Sequence, residues 1–183
     1  MSQPVPAGIE ASAVEAVRRL GEQVVMGRYR AALERMNPEW KKRTATRMGG
    51  MAALEKRLDA VAAEMVRQGI TMISSAPEGK PSVHEVSPEL RRVTLDGISQ
   101  ERMVFTKWLV LVPTRTRFQI IAEGNPRPIM IENMGFQVAI TDKEKIDWSF
   151  IDGSGLTAAE LRGLFITLPP DIKLPEVGKR EVQ

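Results

Sequence analysis

The sequence lacks cysteine and has very little histidine or tyrosine. Its 183 residues include no Cys, one His and one Tyr, and aromatic residues make up only 5%. Without Cys the chain can form no disulfide, no thiolate nucleophile and no Cys-ligated zinc or iron–sulfur site. Because His84 is the only histidine, one chain cannot build a metal site of the common two-His or three-His kind. We therefore expect no metal and no cofactor.

Nucleotide-binding and membrane-spanning patterns are also missing. Neither GxxxxGK[ST] nor GxGxxG occurs. No apolar run approaches the roughly 18 residues that span a bilayer. The start, Met1–Pro6, lacks the basic and apolar regions of a signal peptide, although signal cleavage also leaves polar, proline-containing starts. We expect a soluble chain without a membrane span, in the cytoplasm or exported, and the sequence does not choose between the two.

The composition is that of one ordinary globular domain, with 43% hydrophobic and 27% charged residues. The net charge is only +3, and the surplus lies in the first third of the chain. A basic cluster there consists of Lys41, Lys42, Arg43 and Arg47, beside Trp40. We interpret it first as a solvated loop between helices and, as an alternative, as an anion-binding adaptor. We do not expect nucleic acid as a partner.

The first third of the chain has the apolar spacing of helices. A capping box, Ser12 to Glu15, predicts a helix over 12–26. A shorter helix over 28–36 is predicted to end before Pro38. A third helix is predicted over 49–68, where apolar residues recur at helical spacing.

From Ile70 onward, apolar and polar residues alternate as they do in strands. Strands are predicted over 70–75, 83–86, 90–95, 103–112, 115–122, 129–141 and 146–152. Their short connections favour antiparallel pairing. A second capping box, Thr157 to Glu160, predicts a helix over 158–165. The sequence thus predicts a single α+β domain over 12–168, between a tail over 1–11 and an extended tail over 169–183, with the helices on one face of an antiparallel sheet.

Two segments carry a family resemblance: Gly27–Pro38 (GRYRAALERMNP) and Trp148–Gly153 (WSFIDG). With the order of elements, they make residues 10–153 resemble bacterial members of the nuclear transport factor 2-like superfamily. The resemblance implies a strongly curved sheet wrapped around a long helix into a cone, whose apolar interior can hold a ligand, and dimerisation through the sheet. Members include ketosteroid isomerase, scytalone dehydratase, polyketide cyclases and non-enzymatic binding domains, so the fold leaves the function open.

The strand pattern offers two carboxylates for chemistry. Alternation places Glu132 on the apolar face of its strand, and Asp152 at the end of an apolar row in the last strand. Carboxylates among apolar walls have raised pKa values and can act as proton acceptor or neutral donor, with Tyr29 as the one available phenol. In the alternative interpretation, a bulge near Asn133 turns Glu132 outward and Asp152 caps the turn into Gly153.

The same alternation predicts walls for an apolar pocket: Met130, Met134, Phe136 and Trp148. The leading hypothesis is a non-catalytic domain that binds a small apolar ligand or a protein. The alternative is a small isomerase, dehydratase or cyclase that uses Glu132 or Asp152 with Tyr29. We interpret His84 as a surface or hydrogen-bonded residue rather than a general base. A homodimer is expected, because Phe105–Val112 is apolar on both faces.

Overall fold

Four helices form the N-terminal third of the residues that the structure describes, 4–183 of this computed structural model. They are α1 (Ile9–Val25), α2 (Arg30–Glu34), α3 (Pro38–Met48) and α4 (Met51–Arg67). The α4 helix confirms the prediction over 49–68, and α2 is shorter than predicted. None of the helices within residues 4–183 has both the length and the apolar character that a bilayer crossing requires.

The α1 helix begins earlier than the sequence predicts. Its N-cap is Gly8, and no side chain caps it. Ser12 lies inside the helix, where its hydroxyl accepts a 2.9 Å hydrogen bond from the Trp148 indole nitrogen. Glu15 forms ion pairs with Arg18 and Arg19. The predicted capping box at Ser12 is therefore wrong, because both of its side chains have other partners.

Pro38 starts a helix instead of only ending one. The Asn37 side chain accepts a 3.1 Å hydrogen bond from the Trp40 backbone N–H, and Pro38 occupies the first helical turn. That turn leaves backbone N–H groups without helical partners, so proline costs nothing there. The basic cluster consequently lies on α3, and its interpretation as a loop is wrong.

The rest of the chain forms an open six-stranded antiparallel sheet, which confirms the predicted α+β class. Its elements are β1 (Ile70–Pro77), β2 (Ser82–Leu95), β3 (Ile98–Ile120), β4 (Ile129–Asp142), β5 (Ser149–Asp152), α5 (Ala158–Leu164) and β6 (Gly178–Val182). The ladder between β3 and β4 is central. Consecutive strands β1 and β2 share the other edge of β3, and β5 and β6 share the other edge of β4.

The observed strands differ from the prediction in several places, and β5 begins at Ser149 instead of at residue 146. The segments predicted at 83–86 and 90–95 are one strand, β2, which continues through Ser87 with a φ of 57°. Those predicted at 103–112 and 115–122 are also one strand, β3, which runs through Pro113. Strand β6 lies in the predicted tail and pairs with β4. Residues of the C-terminal segment thus complete the sheet.

The sheet has two faces with separate cores. The pairing of β3 with β4 has no register shift, so side chains alternate strictly between the faces. The inner face carries Trp108, Val110 and Val112 against Ala13 and Val17 of α1. A second core lies between the outer face and α5 with the segment that follows it. The sheet contributes Leu109, Leu111, Phe136, Val138 and Ile140, and the covering segment contributes Leu161, Phe165 and Leu168. The two-sided apolar character of Phe105–Val112 is thus explained in part by coverage within one chain.

Candidate functional site

A chamber of about 350 Å³ lies between the helices and the inner face of the sheet. Apolar side chains of α1 and α4, among them Leu20, Val24 and Leu58, form its helical wall. Met72 and Ala76 of β1 close one side.

The floor of the chamber is polar. It is formed by inner-face residues of β3 and β4: Thr114, Thr116, Asn133, Gly135 and Gln137. Thr116 is hydrogen-bonded to Ser75 at 3.0 Å. Within residues 4–183, no side-chain hydrogen bond engages Thr114, Asn133 or Gln137. These three side chains are half-buried, and polar groups on a cavity floor that lack an internal side-chain partner are suited to a ligand.

Gly135 leaves the middle of this floor without a side chain. A Cβ built there would meet only the Thr114 hydroxyl, at an ordinary contact distance of 3.6 Å. A glycine inside a strand often marks a place where another group approaches the backbone. Here the missing side chain is part of what keeps the chamber open.

Asp152 lies at the mouth of the chamber. It is exposed, it follows Ile151 at the end of β5, and it pairs with Gln137 across the ladder. Its carboxylate accepts a 2.9 Å hydrogen bond from the Ser154 backbone N–H, so it caps the turn as the alternative interpretation predicts. Asp152 is the only charged side chain among the described residues that line the chamber.

Glu132 lies on the opposite, outer face. Its side chain is fully buried, and its partners are Arg180 at 2.5 Å, Arg117 at 3.1 Å and Arg115 at 3.5 Å. Hydrogen bonds from Arg180 and then Arg117, together with the nearby charge of Arg115, lower the Glu132 pKa below its ordinary value of 4.5 despite the burial. The expected raised pKa is therefore wrong for Glu132. The bulge that would turn it outward is absent from this regular ladder.

The four predicted pocket residues do not form one wall. Met130, Met134 and Phe136 share the outer face, whereas Trp148 packs on the inner face near α1. Phe136 is buried in the outer core and also borders the chamber. The chamber thus lies on the inner face of the sheet, opposite to the face that carries the regular apolar row of β4.

Tyr29 and His84 lie apart from the two carboxylates. Tyr29 lines a separate groove between α2 and α4, with Glu55 and Asp59. His84 is half-buried in β2 opposite Leu109, which belongs to the outer face. Burial lowers the His84 pKa from its ordinary value of 6.5. The structure therefore brings neither residue to Asp152.

The four residues of the basic cluster fall into two pairs, the arginines and the lysines. Arg43 donates a 3.0 Å hydrogen bond to the Gly163 carbonyl oxygen, and Arg47 forms a 3.4 Å ion pair with Glu160, so both contact α5. The Arg47 guanidinium also lies 5.6 Å from the centre of the Trp40 ring. Lys41 and Lys42 belong to the same helix, and Lys42 is exposed.

Sequence reasoning missed the polar floor, although a signal for it exists. Asn133 and Gln137 occupy the positions of β4 that alternate with the apolar row, where a solvent-facing interpretation is the default. Only the helices above the inner face turn these positions into an interior.

No family model, curated protein or solved structure matches the chain. Within the part of the chain that the structure describes, no cluster of three or more His, Asp or Glu side chains is arranged to hold a metal ion. The case for a function consequently depends on the chamber itself.

Proposed function

We propose that this chain is a non-catalytic domain that binds a small, largely apolar ligand in the chamber, as a cone-shaped member of the nuclear transport factor 2-like superfamily would. One observation carries the proposal: a partly enclosed chamber with an apolar helical wall has a polar floor around Gly135, and three of the floor's side chains form no side-chain hydrogen bond within residues 4–183. Ligand sites commonly combine apolar walls with a few polar groups that orient the ligand.

Gly135→Leu tests this proposal directly. The backbone at Gly135 leaves room for the first carbon of the side chain, and Gly135 does not have the positive φ that would make a side chain strained. The leucine should therefore fill the chamber and leave the fold intact. We expect wild type to bind the neutral fluorescent probe N-phenylnaphthylamine and the variant to lose that binding.

Gly178→Leu is the matched control. Gly178 lies in β6, an added Cβ would meet nothing within 4 Å, and it does not line the chamber. This variant should bind the probe as wild type does, with circular dichroism confirming that both variants are folded. Equal probe binding by Gly135→Leu and wild type would contradict the proposal.

The enzymatic alternative is left with one of its expected residues in the chamber. Asp152 lines the mouth, but Glu132 is held by arginines on the other face and Tyr29 lies in another groove. An isomerase or dehydratase in this chamber would have to use Asp152 with the amides of Asn133 or Gln137. Loss of turnover in Asp152→Asn, with folding retained, is the result that would favour this alternative.

A homodimer through the sheet remains a proposal that light scattering tests. The hairpin formed by the distal parts of β2 and β3 extends beyond the start of the β3–β4 ladder and exposes Leu90, Ile98 and Met103. Exposed apolar side chains of this kind are common at interfaces between subunits. At micromolar concentration the scattering mass should be about twice that of the chain, and a monomer at high concentration would contradict the proposal.

A further inference from the structure

A second cavity adjoins the chamber at Phe118. This apolar groove has a volume of about 400 Å³ and is lined mainly by Met65, Ile70, Ile120 and Ile131. Phe118 borders both cavities. The two cavities therefore lie in a row over the inner face of β3 and β4 with Phe118 between them, and a ligand long enough to pass Phe118 would follow a path through both.

Polarity changes along this path. Starting from the groove, the inner face of β4 presents Ile131, then Asn133, Gly135 and Gln137, the last of which pairs with Asp152. At about 3.3 Å per residue, the six steps from Ile131 to Gln137 span about 20 Å. A ligand that fits this path has an apolar tail at one end and a polar head at the other.

The charge at the head end is negative and unpaired. Within residues 4–183, Asp152 takes part in no ion pair, and its one hydrogen-bond partner is the neutral Ser154 N–H. The cations that border the apolar groove, at the other end of the path, have partners or neighbours of opposite charge. Arg180 is bonded to Glu132, and Lys179 shares its strand face with Glu181.

We propose that the ligand is an elongated amphipathic cation, such as an alkylammonium. Its positive head lies at Asp152 beside Gln137, and its chain passes Phe118 into the groove. This inference rests on the proposed function, because it assigns a ligand class to the same chamber. An ionic contact with the exposed Asp152 carboxylate at the mouth requires no buried ion, because the head stays partly hydrated.

Calorimetric titration with three probes of equal chain length tests the ligand class: dodecyltrimethylammonium and dodecanoate below their micellar concentrations, and dodecanol below its solubility limit. We expect the ammonium to bind at least tenfold more tightly than dodecanoate. The net charge of +3 works against a general preference for cations, so such a preference has to arise locally. In Asp152→Asn the ammonium should lose its advantage, while dodecanol binding should stay unchanged.

Asp142→Asn is the control for charge. Asp142 is exposed at the C-terminal end of β4 and contacts Lys107 at 3.6 Å. Removing its charge should therefore leave the affinities for all three probes unchanged. Ile131→Asn should weaken all three ligands, because it makes the groove polar.

Each contrary outcome separates this inference from the proposed function. Dodecanoate binding as tightly as the ammonium, or an Asp152→Asn variant that keeps the ammonium preference, would overturn the cation assignment. The proposed function would still stand if Gly135→Leu abolished dodecanol binding. If none of the three amphiphiles bound while Gly135→Leu abolished binding of the neutral naphthyl probe, only the elongated ligand class would fail. Absence of both kinds of binding would overturn the proposed function as well.

Discussion

Polar side chains on the two faces of the sheet differ in whether they have hydrogen-bond partners. On the outer face, Glu132 is fully buried and held by arginines from β3 and β6. On the inner face, its neighbour Asn133 lines a chamber without a side-chain hydrogen bond among the described residues. Burial alone therefore does not identify a functional residue in this fold. Both residues face polar side chains across the ladders, but only Glu132 is bonded to them: Arg117 and Arg180 bond to Glu132, whereas Thr116 and Lys179 form no side-chain hydrogen bond with Asn133.

The largest expected difference between the faces concerns packing. Leu161 of α5 is fully buried against the outer face, so Leu161→Ala should destabilise the protein by about 2–5 kcal/mol. Leu20 of α1 is half-buried beside the chamber, which already lacks packing atoms, and Leu20→Ala should cost only about 1 kcal/mol. Urea unfolding measures both values. Equal losses would contradict the contrast between a filled face and a hollow one.

The second prediction concerns the charge of Glu132. A carboxylate whose pKa is lowered by folding stabilises the folded state above its ordinary pKa, here 4.5, and this contribution disappears as the pH falls through the lowered value. Glu132→Gln should therefore be less stable than wild type at about pH 7, and the difference should vanish in strong acid.

Asp152→Asn serves as the control for this experiment, because Asp152 is exposed and has no ion-pair partner among residues 4–183. Its stability should stay close to that of wild type at neutral pH. A Glu132→Gln protein as stable as wild type at neutral pH would show that the three arginines do not need the carboxylate.

The contrast also shows what the sequence could predict. Alternation correctly placed Glu132 on the buried face of β4 that it shares with Phe136. Alternation could not identify the partners of Glu132. Arg180 lies 48 positions later in the sequence, and β6 brings it to Glu132 by pairing with β4, which no local sequence pattern reveals. The sequence predicted a raised pKa for Glu132 because it considered only the apolar neighbours of that residue. The arginines lower this pKa instead.

Helix boundaries show a similar limit. Pro38 is compatible both with the end of one helix and with the first turn of the next, and the deciding contact is the Asn37 cap. The capping box at Thr157 is confirmed, with Glu160 bonded to the Thr157 N–H and Thr157 bonded to the Glu160 N–H. Ser12 has the same local pattern, but Trp148 occupies its hydroxyl.

A third, smaller effect is expected where α1 contacts the inner face. Ser12→Ala removes the acceptor of the Trp148 indole N–H and should cost about 1 kcal/mol. Trp148→Phe removes the donor as well as part of the buried ring, so it should cost more. In the double variant the two losses should be less than additive, and strict additivity in urea unfolding would contradict a direct bond.

The smallest effect on stability is expected at the basic cluster. Replacing Lys41 and Lys42 by Gln should change the free energy of unfolding by no more than about 0.5 kcal/mol, since both belong to the surface of α3. If α3 binds anions, the same change should weaken binding to vesicles that contain anionic lipid, and wild-type binding should fall steeply with salt. Binding that does not respond to salt would leave the lysines as solvated surface.

The central ladder also has a consequence for the order in which the chain assembles. Strands β3 and β4 are adjacent in sequence, and the other four strands pair only with one of these two. Closing a short loop costs little chain entropy, whereas β6 must return to β4 across the whole segment that contains β5 and α5. The hairpins that β3 forms with β2, through the two-residue turn Asp96–Gly97, and with β4 are therefore the natural nuclei of folding, and β6 is expected to join last. Until β6 joins, Glu132 has only Arg115 and Arg117 of β3 as counter-ions. A chain that ended before Gly178 would therefore lack the strand that pairs with this edge of β4 and one of the three arginines that contact the Glu132 carboxylate.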